Sequence, residues 1–541
     1  MSGIFSTLNT AKRGMFAQQQ AINTTSHNIA NANTEGFSRQ RVHMSTTPGF
    51  LIPNVGMVGT GVDISDVTRI RDAYLDVQIR YESGISGQYL ARQEILEQVE
   101  MAFMEPSKTG LNTTMGHMWD AWQGLANSPE NSNARTIVRD NSKTFTENLN
   151  HLYEQLDTLK SDSINLTEKK VLDAHSKLEQ IKDLNNQIFK IVIKNDKPND
   201  LTDRRDLLLD ELSDIVDFST TEDQYGRITI KSGGETLLGT DKGNEMPLEM
   251  SVVRSVETDG INVTITLVRG GDSIEGVTTL TIPQGDYDGP YSYMEEGVVI
   301  FNDASWDSEG EDLSDANGKL FDMNYGELKG YQDISVEVST YQKQMDGLAR
   351  AVAYAVNTVH TAGGSAVPFF VGEGGTVDIG GINAGNIRLN EAMEDVKNIN
   401  AKKEPGGPDG DGDRALAIAQ LRNARLPVHE FIDPTYNPDS EIKYNPDDMG
   451  FDNVSVGNTF EGYFKDVIAE LGISSEKASR MVENQEALKG QLVQRRYSIS
   501  GVSMDEEVVN LIQFQHAYQA NANVISTLTT MLDTLINRMG V

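Results

Sequence analysis

The chain has 541 residues, too many for one compact core, and a length prior of roughly 100–200 residues per domain divides it into three or four. Acidic residues number 80 against 46 Lys plus Arg, so a net charge of -34 makes nucleic acid and anionic membrane surfaces poor partners and keeps free copies apart. With no cysteine, disulfides, thiolate metal sites and thiol nucleophiles are excluded as well.

The first predicted element is a helix. Ile4, Leu8, Ala11, Met15, Ile22 and Ile29 recur in steps of four and three, with Gln18 and Thr25 as polar members of the same heptad series. This end is chemically distinct, because Glu35 is the only acid before Asp63, against Lys12, Arg13, Arg39 and Arg41. Residues 1–9 lack the charged and apolar regions of a secretory signal, so no cleaved signal peptide is expected. No apolar run approaches the ~18–20 residues that span a bilayer.

A long second seam runs through Phe145, Leu149, Leu152, Leu156 and Leu159, then Leu178, Ile181, Ile188 and Ile191. At ~1.5 Å per residue it covers about 70 Å. Residues 221–335 alternate in strand fashion, as at Ile228/Ile230, Val263/Ile265/Leu267 and Leu280/Ile282, with turns at Gly233-Gly234, Asp259-Gly260 and Gly270-Gly271. Tyr341, Met345, Leu348, Val352, Ala355 and Val359 form another helix. Residues 363–460 are rich in Gly, Pro, Asn and Asp, and Pro405-Gly406-Gly407-Pro408-Asp409-Gly410 reads as a linker or long loop. Phe464, Val467, Leu471, Ala478, Met481, Leu488 and Leu492 make a helix with a possible break at Gly472, and the three inner helices read as an antiparallel bundle. The last helix repeats the heptad device through Met504, Val508, Leu511, Tyr518, Ala522, Ile525, Leu532, Ile536 and Met539, with Gln515 and Thr529 as polar members.

The fold class expected is therefore α+β and multidomain: a terminal coiled coil (1–80 with 501–541), a helical bundle (81–220 with 336–362 and 461–500), an inserted antiparallel β domain (221–335) and a loop-rich second insertion (363–460).

Catalytic and metal-binding patterns are weak. The eight histidines lack the close spacing of a zinc-binding helix, and His429-Glu430 is followed by Asp433 where a zincin has its second histidine. Asp409, Asp411 and Asp413 have calcium-loop spacing, but Arg414 stands in place of the turn glycine and Gln420 in place of the bidentate glutamate, so a helix N-terminus is the simpler reading. Gly56, Gly59 and Gly61 match no nucleotide-binding loop and suit a turn beside a strand, and the acidic run Asp303, Asp307, Glu309, Glu311, Asp312 and Asp315 reads as a solvated loop. No catalytic residue, metal ligand or cofactor is expected.

The segment Ser26-His27-Asn28-Ile29-Ala30-Asn31-Ala32-Asn33-Thr34-Glu35-Gly36-Phe37-Ser38-Arg39-Gln40 resembles the N-terminal signature shared by flagellar rod, hook and hook-associated proteins. Its asparagines and Gly36 tolerate the left-handed conformations that stop a helix, and Phe37 can anchor the emerging chain. Gly59-Thr60-Gly61-Val62 followed by Val67, Arg69, Asp72, Leu75 and Arg80 looks like the continuation of that region. Ser500-Gly501-Val502-Ser503-Met504-Asp505-Glu506-Glu507, with Asn510, Phe514, Tyr518 and Ala520-Asn521-Ala522 beyond it, resembles the C-terminal signature of the family. Its Gly-Val and Asp-Glu-Glu variant points to the branch found between hook and filament, as do Asp203-Arg204-Arg205-Asp206-Leu207 through Leu212 and Gly412-Asp413-Arg414-Ala415-Leu416.

The resemblance implies a structural, non-enzymatic subunit in the extracellular flagellum, exported unfolded by the type III route without cleavage. It implies self-association in a ring or tube, contact with the hook protein and with a neighbouring hook-associated protein on the filament side, and a cytoplasmic export chaperone on the C-terminal helix. Terminal helices suit that role, because burying one aliphatic side chain contributes about 1.5–3 kcal/mol while ordering backbone costs about 1–2 kcal/mol per residue, so a lone amphipathic helix needs a partner. The rivals are another axial protein such as hook or distal rod, a surface adhesin using the insertions, and a cryptic hydrolase.

Overall fold

A computed structural model describes residues 2–52, 56–103, 110–240, 245–269, 277–287, 292–303, 319–362, 367–404, 406–452 and 457–537. Helix α1 (Ser2–Ala30) stops where Asn31 turns its amide back to the His27 carbonyl, and Gly36 takes a left-handed φ of 75° that a larger residue resists. Strand β1 (Gln40–Thr46) then pairs antiparallel with β4 (Val62–Arg69), bulging between His43 and Met44, and the ribbon ends in the hairpin β2 (Phe50–Ile52) with β3 (Gly56–Val58). Gly59, Thr60 and Gly61 form the turn that leads into β4.

Helix α2 (Ala73–Phe103) starts at Asp72, whose carboxylate accepts the Tyr74 and Leu75 N–H groups. Helices α3 (Leu111–Asn127), α4 (Ser132–Val192) and α5 (Asn199–Ile215) follow. The 61 residues of α4 form one unbroken rod of about 92 Å. The long seam expected from Phe145 to Ile191 lies on this one helix, and Ser163, Thr167, Val171 and Ala174 carry the buried line between Leu159 and Leu178. There Ser163 donates its hydroxyl to the Tyr331 carbonyl at 2.9 Å and Thr167 donates to Ser163 O, which satisfies the buried polar atoms.

Strands β5 (Ser219–Glu222), β6 (Ile228–Ser232) and β7 (Glu235–Leu238) form a small antiparallel sheet. A five-stranded one has the order β10-β9-β8-β11-β12, built from β8 (Leu248–Thr258), β9 (Asn262–Arg269), β10 (Val277–Pro283), β11 (Val299–Asp303) and β12 (Lys319–Leu320), with the single-turn α6 (Gln284–Tyr287) after β10. Alternation sends Met250, Val252, Val299 and Phe301 toward α4 and α5, while Val253 and Ile300 face a second small core with Ile265, Ile282 and Met294. The Gly270-Gly271 turn lies outside the described residues.

Helix α7 (Glu327–Thr361) packs along α4 and buries its whole seam from Leu328 to Val359. Residues 367–452 hold few long elements: β13 (Phe370–Val371) with β14 (Arg388–Leu389), the helix α8 (Asp413–Gln420), and β15 (Tyr444–Asn445) with β16 (Gly450–Phe451). They nonetheless feed Phe369, Phe370, Ile382, Phe431 and Ile418 into the same core as Trp119, Trp122 and Leu348. Two buried arginines fasten them: Arg350 donates to the carbonyls of Ile382, Phe431 and Ile432, and Arg414 to those of Lys402, Lys403 and Val359. Arg414 thereby sets its charge on the carboxyl end of α7.

Helix α9 (Phe460–Ser500), begun by Thr459 accepting the Gly462 N–H, runs through Gly472 without a break. Gly472 costs about 1 kcal/mol in a helix, less than the burial of Leu471 and Ala478 beside it returns. Helix α9 packs chiefly on α2, and α10 (Met504–Asn537) returns along α1.

Candidate assembly interface

The terminal pair α1–α10 meets along a tighter line than the aliphatic heptads suggest. On α1 the buried residues are Ala11, Gly14, Ala17, Ala21, Thr24, Thr25 and Asn28, whereas Ile4, Leu8, Met15, Ile22 and Ile29 are half-buried beside them. A methyl group added at Gly14 would lie 2.9 Å from Asn521 Oδ1, so small residues let the backbones close. On α10 the facing series is Glu507, Leu511, Phe514, Tyr518, Asn521, Ile525, Leu528 and Leu532, spaced four and three throughout. It keeps Leu511, Tyr518, Ile525 and Leu532 of the expected seam and leaves Ala522 at its margin, half-buried. Phe514 and Leu528 take the places given to Gln515 and Thr529, which are exposed, so those polar interruptions disappear. Met504, Val508 and Ile536 are exposed, and Met539 lies outside the described residues.

At the base of this pair the two sequence signatures touch. Asn28 pairs with the Gln40 backbone in both directions, donating to its carbonyl at 2.9 Å and accepting its N–H at 3.0 Å. The same amide donates to Glu507 Oε2 at 3.0 Å, and Arg39 donates to Glu507 Oε1 at 2.8 Å and to Glu506 Oε2 at 2.9 Å. Glu507 is only 2% exposed, so both of its oxygens need these partners. The Arg39 N–H donates to Ser500 O, clamping the turn between α9 and α10, and Val502 in that turn is buried. Asp505, Glu506 and Glu507 occupy the first turn of α10, where the helix dipole favours acids. Asn33 and Asp505 are exposed, Phe37 meets His27 edge-on at 5.4 Å, and Gly36 sits against Leu207 of α5.

A second knot ties this base to the bundle. Asp203, Asp206 and Asp210 share one face of α5 at spacings of three and four. Arg69 from the end of β4 donates to Asp203 at 2.7 Å and Asp206 at 2.8 Å, Arg80 of α2 to Asp210 at 2.8 Å, and Arg496 of α9 to Asp210 at 2.5 Å. Arg71 bonds Asp76 at 2.6 Å and lies 3.4 Å from Asp206, while the other Asp203 oxygen accepts the Ser38 N–H. Burial works against the charge of Asp206, but Arg71 and Arg69 outweigh it and hold the carboxyl below its usual range. Burial likewise opposes the charge of Arg71, yet Asp206 and Asp76 keep it above its ordinary value. Four arginines and four aspartates from five segments thus neutralise one another. The acid spacing was readable in the sequence, but Arg71, Asp76 and Arg496 were not assigned, because nothing local links residues so far apart.

Elsewhere the polar groups singled out by sequence have ordinary partners. His429 and Glu430 form an exposed pair at 3.1 Å, Asp409 bonds Lys402, and Asp411 accepts the N–H groups of Lys403 and Asp413 ahead of α8. Residues 307–315 of the acidic run lie outside the described residues. The open groove between α1, β1 and α10, about 860 Å³, is lined by Thr24, Val42, Met44, Val509 and Phe514, with Arg39, Glu506 and Glu507 on its wall bonded to one another. Among the described residues no helix is long and apolar enough to cross a membrane.

The family model for the flagellar hook-associated protein FlgK helical domain matches residues 96–367, that for the flagella basal body rod protein matches 8–37, and that for the flagellar basal body rod FlgEFG protein C-terminal region matches 493–539. Flagellar hook-associated protein 1 of Bacillus subtilis is 29% identical over all of this chain and 99% of its own length. The protein of the same name from Escherichia coli is 26% identical over 98% of this chain and 99% of its own. A flagellar basal-body rod protein, FlgG of Caulobacter vibrioides, is 38% identical but over only 12% of this chain and 30% of its own. The solved structure of the flagellar hook junction protein FlgK from Burkholderia pseudomallei has the same fold, with a TM-score of 0.54, 12% identity, and coverage of 78% of this chain and 100% of that one. Rod-type matches at both ends enclose a helical-domain match over half the chain, and the chain belongs to the flagellar hook-associated protein FlgK family.

Proposed function

We propose that this chain is a structural subunit of the bacterial flagellum at the junction between hook and filament, where it acts by packing and carries out no chemical turnover. The observation that carries this reading is the terminal pair α1–α10, which spends its small residues on internal contact and leaves Phe5, Phe16, Val509, Ile512, Val524 and Met531 exposed. Hook-associated relatives that align over nearly the full chain support the junction rather than the hook or rod. Residues 1–80 with 501–541 form the assembly region, which packs against other copies, the hook protein and the hook-associated protein on the filament side. Before assembly the chain leaves the cell through the type III route, with a chaperone on the α10 apolar surface.

Charge supports the same division. From Val508 to Leu532 there is no Asp, Glu, Lys or Arg, in a chain whose net charge of -34 otherwise drives copies apart. Deleting the gene and imaging the cells tests the function. Hooks without filaments, with filament subunit released into the medium, are the expected outcome, and full-length filaments on the deletion strain would overturn it.

A further inference from the structure

The hairpin β2–β3 is the least explained part of the assembly region. From Met44 to Val62 no side chain is ionisable. Leu51 and Met57 stand opposite each other in the register and are 71% and 73% exposed, with Phe50 also exposed. Its two strands pack chiefly on one another, and an isolated two-stranded hairpin is marginal in water. Its base, by contrast, is fixed. Thr47 donates to the Gly61 carbonyl at 3.0 Å and its hydroxyl meets that of Thr60, while Gly61, at φ 112°, lies so close to α1 that a methyl group there would be 3.3 Å from Thr10 Cα. A rigid base therefore presents Phe50, Leu51 and Met57 at the side of the terminal pair.

Resting on the reading that copies assemble through their terminal region, we infer that this hairpin docks on the exposed outer face of the α1–α10 pair of an adjacent copy of the same chain. Charge selects that partner. The chain carries a net charge of -34, and seating Leu51 and Met57 among its carboxylates would strip water from those charges. The outer faces of α1 and α10 instead present Phe16, Val509, Ile512, Val524 and Met531 within stretches almost free of charge. The contact also continues the proposed assembly surface directly, since the hairpin base touches α1.

The absence of native cysteine makes the test clean. Full-length chains carrying Leu51→Cys together with Val509→Cys, Val524→Cys or Met531→Cys would be produced in cells lacking the wild-type gene, and isolated flagella oxidised and run on denaturing gels. A ladder of linked copies from at least one pair, absent from the single-cysteine chains and from secreted monomer, is expected. Assembled flagella giving no ladder with any pair, or Leu51→Cys linking to hook or filament-side protein instead, overturns the docking. In parallel, Leu51→Asp with Met57→Asp should cut filament-bearing hooks at least tenfold with an unchanged melting curve of the secreted chain. If that variant assembles normally while a charged variant of α10 does not, only the hairpin docking fails; if both assemble normally, the assembly reading fails with it.

Discussion

The bundle and the terminal pair solve the same packing problem with opposite materials. In the bundle, Trp119, Trp122, Phe145, Phe369 and Phe464 are buried to 1% exposure or less, and Trp119 stacks on Phe460 at 5.9 Å. In the terminal pair, α1 buries Ala11, Gly14, Ala17 and Ala21 with its large side chains at the margin, and of the large side chains that α10 turns toward it only Leu528 is buried. At about 25 cal/mol per Å² of apolar surface, the first arrangement gains far more from burial, whereas the second leaves Phe5, Phe16, Val509 and Ile512 in water. On the proposed function, the difference separates a part folded in solution from a part completed by assembly.

That contrast can be broken or sharpened by substitution. Trp122→Ala should have the largest effect on stability, about 3–5 kcal/mol, read as a lower denaturant midpoint of the purified chain. Asp206→Ala comes next, at roughly 3 kcal/mol, because it leaves Arg69 and Arg71 buried without their shared partner. Amide exchange should then rise where α5 meets β4. A smaller effect than predicted would mean that water reaches the knot.

His360, which is fully buried, contributes a pH dependence to the bundle. Its Nδ1 donates to the Val367 carbonyl and its Nε2 accepts the Asn400 N–H, a pairing only the neutral ring can make. Burial and the nearby Arg414 push its pKa down to about 4. The unfolded chain therefore takes up this proton first as pH falls, so the contribution is complete above about 6.5 and is lost between there and about 4, by roughly 3 kcal/mol. Melting temperature against pH for wild type and His360→Asn checks the sign, since the variant should lose that slope. Asp206, held low, weakens the fold only at more acid pH.

The smallest stability effect is expected for Leu511→Asp with Ile525→Asp, within about 1 kcal/mol for bundle and β-sheet unfolding, because both side chains lie only half-buried in the terminal pair. The same variant should abolish incorporation into flagella. Normal incorporation would remove the contrast between the two regions.

Much of this was legible in the sequence where large aliphatics mark a seam: α4 from Phe145 to Leu159, α7, and the first half of α9. Helix α2 was obscured because it buries Ser83, Gly84, Ser86 and Gly87 while exposing Tyr74, Val77 and Tyr81, the reverse of the usual pattern. The terminal helices were recognised, but the buried line of α1 lies about one residue away from its largest side chains, since close backbone approach favours alanine and glycine, whereas α10 keeps Leu511, Tyr518, Ile525 and Leu532 in place. Asn28 and Glu507 were visible as signature residues, yet their bond spans almost the whole chain and has no local trace. The loop-rich stretch from 367 to 452 owes its order to Arg350 and Arg414, whose carbonyl partners carry no side-chain signal.

The continuous α4 has a mechanical consequence. Its first half is rooted among Trp119, Leu348 and Val352, and its second half among Leu208, Val252 and Phe301, with no loop between. The two lobes cannot swing about a joint; they can only bend a shared rod. The terminal helices are tied to this shaft by the clamped turn between Ser500 and Met504 and by the arginine–aspartate knot on α5. In the proposed assembly, a load on the terminal helices passes through those ties into a stiff shaft.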